Sequence, residues 1–425
     1  MLFYYNIESN YIMDFPTSYA KFKNVKLDCD ITKSYKINFL TTGSNPTNNI
    51  IAFVSDSNKN LFVIKIMVDS ININTKIKPD YNKLEAKFYQ FFTKKYIFTL
   101  RTPHIVGLYN HQTCKDVEKL MKKINPKSVT CPTHTDILTK INKLQPAQTK
   151  ICDIITRRKM DIIDSDYDIL LLEYCIDSLD NMMNWYMIQM SHLTKTRLTI
   201  HIAGFINNLE RILFQLIFTL AIIKQEYPGF KHGDFFVRNI LLSTDWSHDE
   251  NDYVAYHYIK KDDNKQKVFY LKANGMYSKI NDFGMAIIAN DMLSNIYPES
   301  KKLNKYYNNN PFNEKNDIFN LLNDIYDGQN IGSDSIRYAA FKLKLSDNLI
   351  NPIKKFISKF LKTRTIDQIN KNNHYLLNTM WNIDTIKILE DTVKTPEEYL
   401  LGTVFSEYKT LPKNGNVIMH YNQSV

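Results

Sequence analysis

The sequence predicts an α+β fold, with a β-rich N-terminal part followed by a larger, mainly helical part. Three observations lead to it. Residues 35–68 hold three short apolar runs, YKINFL, IIAFVS and LFVIKIMV, parted by polar turn residues. Leu209 to Ile223 is apolar nearly all round at helical spacing, the pattern of a buried helix. Beyond residue 315 the chain reads as largely helical.

The elements follow in order. Residues 1–34 form a polar and aromatic leader without periodicity. SDSNKN lies between the second and third strands as a turn cluster, so these two form a hairpin. Residues 78–98 place Leu84, Phe88, Phe91 and Phe92 at helical spacing. HIVGLY (104–109) returns to strand, and 111–165 is a lysine-rich insertion of mixed helical character. YDILLLEY (167–174) is a short apolar strand. FKHGDFFVRNILLS (230–243) reads as loop and then strand, and YSKINDFGMAII (277–288) as strand, loop and strand. Between them, at about 246–276, VAYHYI and KVFYL form a second insertion. The expected divisions are 1–34, 35–175 and 176–425.

Composition narrows the classes. A length of 425 residues with 44% hydrophobic content suits one large two-lobed domain or two ordinary ones. The 54 basic and 44 acidic residues leave a net charge of +10, which fits phosphate ligands, nucleic acid or an acidic partner. The charge is spread without like-charge runs, as on a mostly solvated surface, and no nucleic-acid signature accompanies it, so nucleic acid is not expected as a partner. Five cysteines, an odd and irregularly spaced set in a long chain, point to free thiols in a reducing compartment. His111, Cys114, Cys131 and His134 form an HxxC…CxxH arrangement that could alternatively hold zinc. The first residues lack a signal-peptide pattern, and the longest apolar run, Ile212 to Ile223, falls short of a membrane span. Heavy use of Lys, Asn, Ile and Tyr with only 11 Gly matches an AT-rich genome.

The chemistry lies in an ordered set of motifs. Val63-Ile64-Lys65-Ile66 sits in a strand, and Glu85 lies 20 residues on in the amphipathic helix. Leu170 to Tyr174 is a strand of its own. His232-Gly233-Asp234 is followed five residues later by Asn239, and Asp282-Phe283-Gly284 follows YSKI. Any one of these recurs by chance; the order does not. Together they resemble the protein kinases, with their V-A-I-K, H-R-D-x-x-x-x-N and D-F-G. The resemblance covers about residues 35–325 and implies a bilobal fold, a small β-rich N-lobe and a larger helical C-lobe. It also implies ATP and Mg²⁺ (or Mn²⁺) as cofactors and transfer of the γ-phosphate to protein hydroxyls.

Residue by residue, the resemblance gives Asp234 as catalytic base, with Asn239 and Asp282 on the metal. Lys65 pairs with the α/β-phosphates and Glu85 with Lys65. Gly43 opens the phosphate-covering loop and Ile50 caps the adenine. The backbone of Glu173 and Cys175 meets the adenine edge, with Leu172 as gatekeeper and Leu241 on the strand beneath. Asp317, in NDIF, braces the catalytic loop.

The chain departs from the pattern in places. TTGSNPTNNI keeps one glycine, with Asn45 and Asn48 where others belong and Pro46 removing an amide. Gly233 replaces the arginine of HRD, which in the family reads the activation-loop phosphate, so the resemblance implies activity without that switch or with a different one. Phe236 stands where many Ser/Thr kinases carry lysine, and Arg238 where tyrosine kinases carry arginine, so Ser/Thr, Tyr and dual specificity stay open. HGD with Asn is also seen in aminoglycoside phosphotransferases, and a pseudokinase scaffold is a further alternative. Tyr297-Pro298-Glu299 is the nearest match to A-P-E. The insertion near 246–276 and TPEEYL at 395–400 resemble the Ser/Thr kinases of poxviruses and giant DNA viruses, with haspin sharing the hairpin. That implies viral protein substrates and a place in the host cytoplasm or the virion, with no secretion.

Overall fold

Three consecutive apolar strands, the second alternately buried and the third buried on both faces, build the first sheet. In the computed structural model, residues 27–42, 49–71, 81–125, 131, 146–260, 266–288, 315–326, 347–361 and 393–423 are described. The chain is a mixed α/β protein, β-rich at first and helical later, and it divides into two compact units. Residues 1–94 and 106–174 form the first, 95–105 and 175–425 the second.

The first unit carries helix α1 (Ile31–Ser34) and strands β1 (Lys36–Thr42), β2 (Ile50–Ser55) and β3 (Leu61–Ser70). Helix α2 (Tyr81–Phe92) follows, then β4 (Leu108–Cys114), α3 (Val117–Ile124), α4 (Pro146–Lys159) and β5 (Ile163–Glu173). The sheet order is β1-β2-β3-β5-β4, all antiparallel. Ile50, Ala52 and Val54 are buried alternately on β2, while Lys65 to Val68 makes β3 buried on both faces. α2 runs into a π-helical turn at Thr93–Ile97.

Three expectations are corrected around this sheet. The strand read at 104–109 lies later, at 108–114, and only Ile105 of the apolar run makes an isolated bridge. HIVG is buried because His104 and its neighbours pack into the protein, not because they pair in a sheet. Four of the five cysteines are not free thiols; Cys175 stays outside any disulfide. Cys29 is bonded to Cys114 with Cα atoms 5.6 Å apart, and Cys131 to Cys152 with Cα atoms 5.2 Å apart. Folding brings together pairs that are 85 and 21 residues apart in sequence, which an odd count cannot reveal. The zinc arrangement fails with them. His111 and Cys114 lie three apart on one strand and so face opposite sides: His111 bonds Asp168, Cys114 bonds Cys29. His134 lies outside the described residues, and no group of three metal-binding side chains occurs among those described.

The second unit begins with β6 (Asp177–Ser178), α5 (Leu179–Met190) and the 32-residue α6 (Lys195–Glu226). By length and composition α6 could cross a membrane, yet 78% of its most apolar window is buried, as befits a core helix. Beyond it come β7 (Phe230–Lys231), β8 (Ile240–Asp245), β9 (Asp252–Ile259), β10 (Gln266–Lys272), β11 (Gly275–Ile280) and β12 (Ile287–Ile288). Helices α7 (Asn316–Tyr326), α8 (Asp347–Ile357) and α9 (Pro396–Leu401) and strand β13 (Asn416–Tyr421) complete it.

β11-β8-β6 form one sheet and β12-β7 a two-stranded ribbon. The hairpin β9–β10 gains a third strand the sequence does not announce: β13 pairs parallel with β9. Phe214 and Phe218 of α6 pack against Tyr256 of β9, and Phe214 also against Phe269, Phe405 and Tyr408. α9 opens with a capping box, Thr395 bonding the Glu398 amide and Glu398 the Thr395 amide. Tyr258 of β9 donates to Glu397 at 2.8 Å, tying this helix to the hairpin.

Candidate active site

The candidate residues lie in two groups, one in each unit. In the first unit, Lys65 points from β3 to Glu85 on α2. Nζ lies 2.6 Å from Oε1, and both side chains are nearly out of contact with water. Charges buried this deeply persist only when paired, so the pair fixes the register of helix against strand. Ile50 opens β2, wholly buried. Lys65 is the cross-strand neighbour of both Ile51 and Leu170, which puts β3 in the middle of this group. Glu173 ends β5, its amide donating to the Gly107 carbonyl at 2.9 Å and its carboxylate accepting from the Gly107 amide at 3.1 Å. The amide of Glu173 is thereby engaged. Gly43, with the rest of TTGSNPTN that follows Thr42, lies outside the described residues, as do Tyr297 to Glu299.

In the second unit, residues 231–239 fold around acidic side chains of α7. Asp317, fully buried, accepts the amides of His232 at 3.0 Å and Gly233 at 3.3 Å. Asp324, two turns on along the same face, accepts the Val237 amide at 3.0 Å. Loop amides that no sheet or helix can satisfy are thus bonded by two carboxylates. Sequence reasoning had Asp317 and missed Asp324; its seven-residue spacing from Asp317 was the available signal.

His232 is buried and joins this loop to the one before Phe283. Its Nε2 faces the Asn281 carbonyl at 3.0 Å and must donate, while Nδ1 faces the Asp234 amide and must accept. The Asn281 amide returns a bond to the Asn239 carbonyl at 3.0 Å. Phe283 packs on the His232 ring at 5.4 Å. Asp282 is held in left-handed backbone, φ 65° and ψ 78°, which turns the chain sharply between β11 and the 3₁₀ turn. Gly233 has φ +80°, and a Cβ there would run into the Met285 carbonyl oxygen.

Both oxygens of Asp234 are engaged. Arg238 Nη2 meets Oδ1 at 2.6 Å, and Asn239 Nδ2 meets Oδ2 and the main-chain oxygen at 2.7 Å each. The Arg238 guanidinium stacks 4.8 Å over Phe236, so the two substituted positions of this loop act on one another. With Nδ2 of Asn239 spent on Asp234, its Oδ1 is the atom able to face a cation. Leu241, half-buried on β8, pairs with Ser178 and Lys279. Cys175 is buried and lies outside both disulfides.

Behind the loop sits Lys231, 6% exposed. Burial pulls its ammonium down to about 8; Asp317 partly opposes the shift and Lys224 adds to it. His104 is buried between the Ser278 carbonyl and the Tyr256 hydroxyl, each at 2.9 Å, and burial holds it far below its ordinary value, as a neutral ring.

No family model matches the chain. A protein of Acanthamoeba polyphaga mimivirus, named by inference as a serine/threonine-protein kinase, is 40% identical over 411 residues. The match covers 96% of this chain and 99% of that protein. A second mimivirus protein named in the same way is 35% identical over 105 residues, 23% of this chain and 21% of the other. With that near-complete overlap, the chain belongs to the protein kinases of the giant-virus type.

Proposed function

We propose that this protein transfers the γ-phosphate of ATP to serine and threonine hydroxyls of proteins. The observation that supports this best is the held carboxylate of Asp234, bonded by Arg238 and Asn239 on a loop anchored to α7. A base for phosphoryl transfer must be oriented before the acceptor arrives, because positioning supplies much of the rate. Asp234 takes the acceptor proton as its oxygen attacks the γ-phosphorus and the bond to the β–γ bridging oxygen breaks, releasing ADP. Lys65, kept in place by Glu85, neutralises the α/β-phosphates. Asn239 and Asp282 offer an amide oxygen and a carboxylate, hard donors that suit Mg²⁺ or Mn²⁺. Asn239 and Asp282 would hold such a metal, which would supply charge neutralisation at the phosphates. The substrates we propose are viral proteins, met in the host cytoplasm or the virion.

The test is γ-phosphate transfer from radiolabelled ATP with Mg²⁺ or Mn²⁺, to the protein itself, casein, myelin basic protein and a virion extract. The expected result is phosphoserine and phosphothreonine label from wild type and none from Asp234→Ala, which still binds nucleotide. Equal label from both would remove Asp234 as the base. Label on tyrosine would overturn the acceptor class. Nucleotide binding without transfer to any acceptor would favour a scaffold.

A further inference from the structure

Four of the five cysteines lie in the first unit, and all four are paired. We propose that Cys29–Cys114 and Cys131–Cys152 are thiol–disulfide modification sites, closed after synthesis by a disulfide-class oxidant, the first fastening the segment before α1 onto the N-terminal sheet and the second closing the insertion on itself. The two bonds have separate structural settings. Cys29 lies just before α1, and Cys114 ends β4, 2% exposed. The approach of Cys29 is prepared by other contacts. Tyr167 of β5 donates to the Cys29 carbonyl at 3.1 Å, and Gln112 donates to its sulfur at 3.3 Å. Lys123 of α3 pairs with Asp30, while Leu27, Ile31 and Tyr35 are buried on the same unit. These contacts hold the two sulfurs together before any bond is made, which raises the effective concentration of one thiol at the other.

The second bond closes the insertion. Cys152 is on α4, which packs on α3, and Cys131 precedes it in the connection between those helices. Each bond forms by two exchanges. One cysteine thiolate attacks glutathione disulfide, forming a mixed disulfide and releasing one glutathione thiol. Its partner's thiolate then attacks the protein sulfur of that mixed disulfide and releases the second. The remaining cysteine, Cys175, lies in the other unit, 6% exposed, out of reach of such exchange. Paired cysteines are rare in a reducing cytosol. The closed form thus belongs to an oxidising enclosure, which for the localisation proposed above favours the particle over the cytoplasm.

The test uses the full-length chain in two arms, one incubated with glutathione disulfide and one with dithiothreitol. Each is alkylated natively, digested and mapped by mass spectrometry, and each is melted. The expected map of the oxidised arm shows peptides joined 29–114 and 131–152, with Cys175 alkylated only after denaturation. Reduction should lower the melting temperature by roughly 5–10 °C, as loops of these lengths lose their cross-links. Cys29→Ser should lower the oxidised melting point by most of that shift. Native alkylation of all four thiols in the oxidised arm, joined peptides of other pairings, or equal melting of the two wild-type arms would overturn the proposal. The wild-type arms decide it even if Cys29→Ser does not fold.

Discussion

Replacing Lys231 by methionine should stabilise the second unit, and the gain should shrink as pH rises. The ordinary value of this ammonium is 10.5 and burial lowers it to about 8. A tenfold change in proton affinity corresponds to about 1.4 kcal/mol, so the charged form carries a penalty of about 3 kcal/mol in the folded state. The sign follows from proton counts. Below pH 8 both states are protonated and the whole penalty applies. Between 8 and 10.5 the unfolded chain holds more protons, so wild-type stability rises with pH. Methionine fills similar volume without charge, and Asp317 keeps its two amide donors, so any change in packing is constant with pH. The advantage of the variant should therefore be about 3 kcal/mol at pH 7 and roughly 1.5 kcal/mol at pH 9.5. Two of the chain's three tryptophans, Trp185 and Trp246, are described within the second unit, and Trp381 belongs to it by sequence. Tryptophan fluorescence in urea at stepped pH thus reports this unit alone. A difference between wild type and variant that stays flat from pH 7 to 9.5 would refute the reasoning.

Other outcomes follow from the same contacts. Gly233→Ala should cost about 1–2 kcal/mol for its left-handed backbone, and more as the Met285 carbonyl is displaced; an unchanged melting point would speak against it. Glu85→Ala removes the 2.6 Å partner of buried Lys65 and should destabilise the first unit by roughly 3–5 kcal/mol, with weaker nucleotide binding by titration. Retained stability and binding would mean that Lys65 is held mainly by other groups. Thr395→Ala removes one half of a capping box and should cost about 1 kcal/mol, read as faster hydrogen exchange at the Glu398 amide.

The parts of the fold legible in the sequence are those whose burial is periodic. β2 alternates and β3 runs apolar between polar residues, α6 is apolar nearly all round from Leu209 to Ile223, and β9 and β10 flank a polar stretch. The candidate site was legible because its residues keep fixed spacings along the chain. What escaped depends on partners far away in sequence. LYNHQTC is a strand because β5 offers it a ladder and Asp168 accepts from both His111 and Thr113, a tertiary preference that local propensity does not carry. The cysteine pairs depend on how α1 and the insertion pack. The grip of Arg238 on Asp234 joins two side chains four apart in an irregular loop, where no periodicity says which side chains meet.

The parallel pairing of β13 with β9 has a consequence for how the chain is made. His257 on β9 bonds His420 on β13, 163 residues further along. At about 5–20 residues per second, the ribosome finishes β9 roughly 8–30 s before its neighbour is complete. During that time one edge of the β9–β10 hairpin shows unpaired amides and carbonyls, a template for any other strand. Newborn chains held close together on one message would meet one another through that edge. The interval, more than the final stability, sets when this protein is most exposed to mispairing, and slowing translation downstream of residue 272 should lengthen it.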